Sequence, residues 1–379
     1  MTAARWLAAL AATATIGWCV SRQVGFGNLT YSPTYQVFVV SLLAIGLYGS
    51  TANISLRLAR QDLRTIAFAT TVGVFVKAAL ITGGMYLVDP KFAALGLTVA
   101  QIDPLSVAAM LGRSGMSDRA KTILQAWSSF DDPVTTLLAI YAVAWLVAER
   151  GAAGPGNGGM LAYAGGLWLN AALAAGAYLI WRLAGFARAR ARRRLATPGS
   201  AGAGSTRKST VVEALWQALL VALLVGLAVV AVRHVLMLGL AVTGLFFRPK
   251  VDRLLRRLLH AALLTATFAL GLLLTDGIQL WKGFALASLA WLAQLVVVWI
   301  LPTRLTKGDR RYLALGQQNG ITSIVLALAI EPALPGTIGI VAPAVLVINL
   351  IHLIANTFLV GTPTVGRAQS ASAVDLPGE

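Results

Sequence analysis

Apolar stretches long enough to cross a bilayer recur along the whole chain, and this limits its fold more than any motif does. A membrane-spanning helix needs about 20 apolar residues. Roughly twelve runs can be drawn, at 4–20, 34–52, 64–88, 92–111, 118–148, 159–186, 211–232, 235–247, 254–275, 279–301, 311–330 and 337–361. Hydrophobic residues make up 58% of the 379 and charged residues only 12%. The expected fold is therefore an all-α polytopic membrane protein with about 12 transmembrane helices.

The net charge of +17 does not point to nucleic acid, because the basic residues fall in alternate short loops. Arg57, Arg60 and Arg64 follow the second run, and Arg113, Arg119 and Lys121 the fourth. Arg188, Arg190, Arg192, Arg193, Arg194, Arg207 and Lys208 follow the sixth, Arg248 to Arg257 the eighth, and Arg304 to Arg311 the tenth. By the positive-inside rule this places both termini in the cytoplasm and favours an even number of spans in a plasma (inner) membrane. The first run has no convincing cleavage site and reads as a retained anchor. Four regions are expected: a membrane half over 1–186, a basic, Gly/Ser-containing cytoplasmic linker over 187–210, a second membrane half over 211–361, and a polar, disordered cytoplasmic tail over 362–379. The single cysteine, Cys19, excludes a disulfide framework or a cysteine-built metal site, and the three histidines are scattered. No cofactor is expected. HExxH, GxSxG and a sizeable soluble domain are all missing, so no enzyme is expected either.

The fifth run carries Asp131 and Asp132 side by side in Trp127-Ser128-Ser129-Phe130-Asp131-Asp132-Pro133. A charge near the bilayer centre costs roughly 2.5–3.5 kcal/mol on insertion scales, so ionisable groups there mark ion or proton paths. Helix neighbours point about 100° apart, which assigns the two aspartates different jobs. Lys77, mid-way along the third run, needs an anion, and both Asp131 and Asp103 are candidates. Two runs contain helix breakers. The fourth holds Asp103-Pro104, and the eleventh holds Gly316-Gln317-Gln318-Asn319-Gly320. They lie seven spans apart and so cross in opposite senses. Interrupted spans in corresponding positions of two halves point to a transport site at the midplane. Runs one to five and eight to twelve then form two inverted five-helix repeats, with helices 4 and 11 unwound and crossing.

At this point the residues resemble the monovalent cation/proton antiporter superfamily. The likeness rests on Asp103-Pro104-Leu105-Ser106-Val107-Ala108, on Ser117-Asp118-Arg119-Ala120-Lys121-Thr122-Ile123-Leu124, and on Asp131-Asp132-Pro133-Val134. Leu315 to Ser323 occupies the place of the family's second unwound segment, and Ala266–Asp276 looks like its ninth helix. The sequence departs from the family's pattern at Ile102, where the family has Thr, and at Asn319, where it has Arg. Trp127 and Gln294 stand where many members carry a Glu and an Arg, and Gly49 replaces a further acid.

The resemblance implies Asp132 as the acceptor shared by proton and monovalent cation, and Ser128, one turn earlier, as an oxygen ligand. Burial disfavours a bare anion, so one carboxylate can hold a proton or exchange it for a cation. Asp131 is either a second titrating group or the salt-bridge partner of Lys77. Asp103 is expected at the positive ends of the broken helices and, with Asp132, Asp131 and Ser128, among the ion- and proton-binding residues. Ile102, Pro104, Gln318, Asn319, Thr322 and Ser323 are expected around the cavity at the breaks, with helix packing the other reading for the four polar ones. Asn349, His352 and Asn356 form a stripe expected to bond between helices.

The implied activity is alternating-access exchange of H⁺ for Na⁺, or for Li⁺ or K⁺, and the Asp-Asp pair resembles the electrogenic branch. The implied partners are these ions, the lipid bilayer and a second copy of the chain in a homodimer. Two other readings remain: a Na⁺-coupled organic-anion transporter on a similar scaffold, and a transport-inactive sensor.

Overall fold

The computed structural model describes residues 3–24, 29–52, 62–111, 115–149, 159–195, 203–249, 251–274, 277–302 and 304–358, and among these no strand occurs. Helices α1 (Ala3–Val24) and α2 (Pro33–Ala52) account for the first two apolar runs. Helix α3 (Leu63–Val88) is one long span with a π-helical turn at Ala69–Gly73. The fourth run is broken into a 3₁₀ segment, Pro90–Leu95, the short α4 (Gly96–Val99) and α5 (Pro104–Leu111). Helix α6 (Asp118–Glu149) carries the two aspartates and has Pro133 inside it.

Helices α7 (Gly159–Leu195) and α8 (Ala203–His234) extend well past their apolar runs. The flanks of the basic segment over 187–210 are therefore helical, and only residues 196–202 within it lie outside the described residues. Arginine is a good helix former, so a polar continuation of an apolar helix costs little. Helix α9 (Met237–Gly244) is short, and α10 (Asp252–Leu272) and α11 (Leu280–Ile300) follow. The eleventh run is also broken, into α12 (Lys307–Ala314) and α13 (Ile321–Ile330), and α14 (Thr337–Phe358) closes the described chain. The tail over 362–379 lies outside the described residues.

Among the described residues, seven helices are long and apolar enough to cross a membrane. They are α2, α3, the apolar lengths of α7 and α8, α10, α11 and α14. The fourth and eleventh runs fall short because they are broken, and the eighth because α9 has only eight residues. This is a multi-pass, all-helical membrane protein.

Lipid tails are as apolar as leucine, so helices in a membrane associate by close packing rather than by hydrophobic exclusion. Glycine provides that closeness at the main crossings. A Cβ on Gly271 of α10 would overlap the Ala14 backbone of α1, and one on Gly283 of α11 would lie 2.9 Å from the Ile340 carbonyl of α14. One large buried apolar cluster joins α2, α4, α9, α10, α11, α13 and α14. A smaller one, around Ile102, Ile123, Leu124, Trp127, Val297 and Leu313, packs the breaks against α6.

The two ends of the bundle are tied by polar pairs. At one end, Arg119 meets Asp62 at 2.5 Å. Ser117, whose hydroxyl accepts from Ala120 N at the start of α6, also donates to Asp309 on α12 at 2.8 Å. At the other end, Lys282 at the start of α11 donates to Asp89 just past α3 at 2.6 Å. The Lys282 hydrogen bond, helped by the Lys91 N–H, holds the Asp89 carboxyl below its ordinary range. A lowered folded-state value adds stability above the unfolded-state value, and this is lost as pH falls through the folded-state one. Asp89→Asn should therefore lower Tm near neutral pH, and the gap to wild type should close on acidification to below about pH 4. Thermal unfolding of purified protein across a pH series checks this; a gap independent of pH would assign Asp89 a purely steric role.

Candidate functional site

The two breaks lie against each other. Asp103 N donates to the Gln318 carbonyl at 2.8 Å, so the non-helical links of the fourth and eleventh runs pair directly. The Gln317 side-chain amide donates to the carbonyls of Val99 (3.1 Å) and Gln101 (3.2 Å) and to Asn319 Oδ1 (2.9 Å). Asn319 Nδ2 reaches the Val99 carbonyl and Ser323 Oγ. Helix α14 supports the link from behind. Asn349 exchanges two hydrogen bonds with the Asn319 backbone, and His352 Nδ1 lies 2.7 Å from the Leu315 carbonyl.

Breaking a helix frees backbone groups that must be satisfied within lipid, and two aspartates, Asp103 and Asp131, accept from such groups. Asp103 immediately precedes α5, and its Oδ2 accepts from Ser106 N (2.8 Å) and Ser106 Oγ (2.5 Å), which makes it the cap of that half-helix. The same carboxylate lies against Gly320, which immediately precedes α13. A Cβ at residue 320 would come 2.7 Å from Asp103 Oδ2 and closer still to Cγ and Oδ1. The carboxylate thus sits at the positive ends of two half-helices, which favours an anion there.

Asp131 and Asp132 are both fully buried and diverge. Asp131 Oδ2 accepts from Ile102 N at 3.0 Å and lies 3.8 Å from Lys77 Nζ. Asp132 Oδ2 accepts from Thr322 Oγ1 at 3.0 Å. The Oδ1 atom of each carboxylate is buried without a hydrogen-bond partner among the described residues, as is Thr136 Oγ1 one turn beyond Asp132. Pro133 has no N–H, so the Ser129 carbonyl also loses its helical donor. Ser128 is buried one turn before Asp132, and its hydroxyl donates to the Gln125 carbonyl, which leaves its lone pairs available.

Lys77 is 1% exposed, and its nearest partner is Gln317 Oε1 at 2.6 Å rather than either aspartate. The Gln317 amide already donates to three acceptors through its NH₂ group, so its oxygen is turned toward the ammonium.

Of the residues expected at the breaks, Ile102, Asn319, Thr322 and Ser323 are buried together with the aspartates, and Pro104 opens α5 beside them. Gln318 is directed elsewhere, with Nε2 at 4.0 Å from Met110 Sδ. Four participants did not stand out in the sequence: Gln317, Gln101, Thr135 and Thr136. Gln101 accepts from Thr135 and donates to Ser323, joining α6 to α13. Their only signal was being polar in apolar surroundings, a signal Gln318 shares. Trp127 and Gln294 are buried too, and each leaves one polar atom, Nε1 and Oε1 respectively, without a partner. Among the described residues, no group of three His, Cys, Asp or Glu side chains is placed to hold a metal.

The helices, including the two broken ones, define a sodium/proton-antiporter-like fold. The sodium proton antiporter MjNhaP1 from Methanocaldococcus jannaschii, in its structure at pH 8, aligns with TM-score 0.57 over 94% of this chain and 98% of that chain, at 14% identity. At that identity the likeness speaks for the fold alone. No protein-family model and no curated protein matches the chain.

The site geometry separates two adjacent glutamines. Gln317→Leu removes the nearest acceptor of a buried ammonium and should cost about 1.5–3 kcal/mol of stability. Gln318→Leu should cost about 1 kcal/mol or less. Denaturation of the two variants in the same detergent checks the order, and equal losses would remove the special role of Gln317.

Proposed function

We propose that this protein is a secondary antiporter that exchanges protons for a monovalent cation, Na⁺ in the first place and Li⁺ or K⁺ otherwise. The carrying observation is the pair of buried neighbouring aspartates where two broken helices meet, each with one oxygen unpartnered. Asp132 is the shared site. Its Oδ1, with Asp131 Oδ1, Thr136 Oγ1 and the Ser128 hydroxyl, supplies the hard oxygens a small cation requires. A proton and a cation compete for the same carboxylate, and that competition suffices for exchange. Lys77 compensates Asp131, and Thr322 favours the ionised form of Asp132 by donating to it.

The likeness of the whole fold to a sodium proton antiporter supports this reading. In the proposed cycle, a core of α3 to α6 and α11 to α14, built as part of two inverted repeats, moves against the remaining helices. The protein would act in the plasma membrane with both termini in the cytoplasm, as a homodimer joined through helices outside that core. An organic-anion substrate would need the free N-terminal ends of the half-helices. Asp103 already occupies those ends, which weighs against that reading.

The test is proton movement in proteoliposomes on addition of Na⁺, Li⁺ or K⁺. Wild type should dissipate an imposed ΔpH with at least one of them, and Asp132→Ala should fall to the protein-free background. Thr322→Val keeps the shape but removes the donor, and should raise the half-maximal cation concentration roughly 5- to 10-fold. Folded wild type that responds to none of the three cations would sink the proposal in favour of an organic-anion transporter or a transport-inactive sensor.

A further inference from the structure

The first two turns of α10 carry an arrangement that membrane topology does not explain. Arg253, Arg256, Arg257 and His260 are spaced i, i+3, i+4 and i+7, which places them on one stripe of the helix. Together they line an open surface groove of about 470 Å³. Among the described residues, none of the three arginines has a carboxylate partner. His260 is held on the stripe by the contact of Nδ1 with the Arg256 carbonyl at 2.7 Å.

This placement is unfavourable twice over. Like charges three and four residues apart on a helix repel. The first turn, where Arg253 lies, is also the positive end of the helix dipole, where anions are favoured and cations are not. Asp252 is the only acid in the first turn. The positive-inside rule asks for basic residues near a span but is indifferent to which face they take. A bound anion within the stripe would relieve both penalties. Guanidinium groups match a phosphate in fork geometry. On the same turns Leu254 and Leu258 are 51% and 45% exposed, so an apolar surface adjoins the basic one where the span begins.

We propose that this stripe binds the phosphate of an anionic phospholipid, with the headgroup among Arg253, Arg256, Arg257 and His260 and the acyl chains against Leu254 and Leu258. The pairing of charge and exposed leucine selects a lipid over free phosphate, because a soluble anion would have no use for the apolar surface. The site is separate from the aspartate pair, and it stands whether or not the protein exchanges cations.

A ligand that binds the folded state raises its unfolding temperature. The experiment is thermal unfolding of the full-length protein in detergent, titrated separately with dioleoyl phosphatidylglycerol, dioleoyl phosphatidylcholine and sodium phosphate. Phosphatidylglycerol should raise Tm saturably, and the other two should not. The triple variant Arg253→Gln, Arg256→Gln, Arg257→Gln should lose the response, with affinity falling roughly fivefold for each arginine removed. A control variant with equal charge loss elsewhere (Arg64→Gln, Arg304→Gln, Lys307→Gln) should keep it. If the triple variant fails to fold, native mass spectrometry of Arg256→Gln takes its place, and retained phosphatidylglycerol should be reduced relative to wild type. An unchanged response in the stripe variants, or equal loss in the control, would overturn the proposal. An equal shift with sodium phosphate would overturn the lipid assignment and leave a free-phosphate site.

Discussion

The organising constraint is that a helix cannot stop inside lipid unless something else satisfies its backbone. Each unsatisfied group there costs several kcal/mol. Two helices of this chain do stop, at 100–103 and 315–320, and each break is covered largely by the other. The Gln317 amide closes two carbonyls across the gap, Asn319 also donates to one of them, that of Val99, and Asn349 and His352 approach from α14. Gly320 is required because the Asp103 carboxylate fills the space a side chain would take. None of these groups acts alone. Moving either break would strand the donors and acceptors of the other, which couples the two segments mechanically.

Charge is arranged on that scaffold sparingly. One ammonium and three carboxylates are buried near the breaks, and neutral amides, hydroxyls and backbone N–H groups do most of the compensating. Trp127 and Gln294 follow the same economy, since both are buried and neutral. Replacing a buried ion pair by neutral residues is often harmless or stabilising, whereas losing one partner alone strands a charge.

The sequence made the large features legible because they are one-dimensional. Apolar length gave the helices, Asp103-Pro104 and Gly316 to Gly320 gave the breaks, and two acids in an apolar run marked the centre. It did not separate Gln317 from Gln318. In an irregular link no period fixes which neighbour faces inward, so the glutamine that holds Lys77 was passed over for the one beside Met110. Gln101 was hidden for the same reason. The π-helical turn at Ala69–Gly73, just before Lys77, also left no compositional mark. The helical flanks of the basic segment are not evident in the sequence because the glycine and proline between them mark a linker, although the arginines themselves are good helix formers.

The balance at the aspartates bears on what a site there can carry. Asp103 is answered by the ends of two half-helices and by Ser106, and so belongs to the scaffold. Lys77 offsets one of the remaining two carboxylates, 3.8 Å from Asp131. With all three ionised, Asp131, Asp132 and Lys77 sum to one net negative charge in a dry setting. On the proposed reading, a single proton or a single monovalent cation neutralises that charge, whereas a divalent ion would leave the buried site positive and pay its desolvation without return. The unpartnered oxygens belong to Asp131, Asp132 and Thr136, all carried by α6. Thr322 and the Ile102 N–H reach the same carboxylates from the two breaks. On the proposed reading, any motion that shifts the breaks alters the donors to these carboxylates, which would let access and affinity change together.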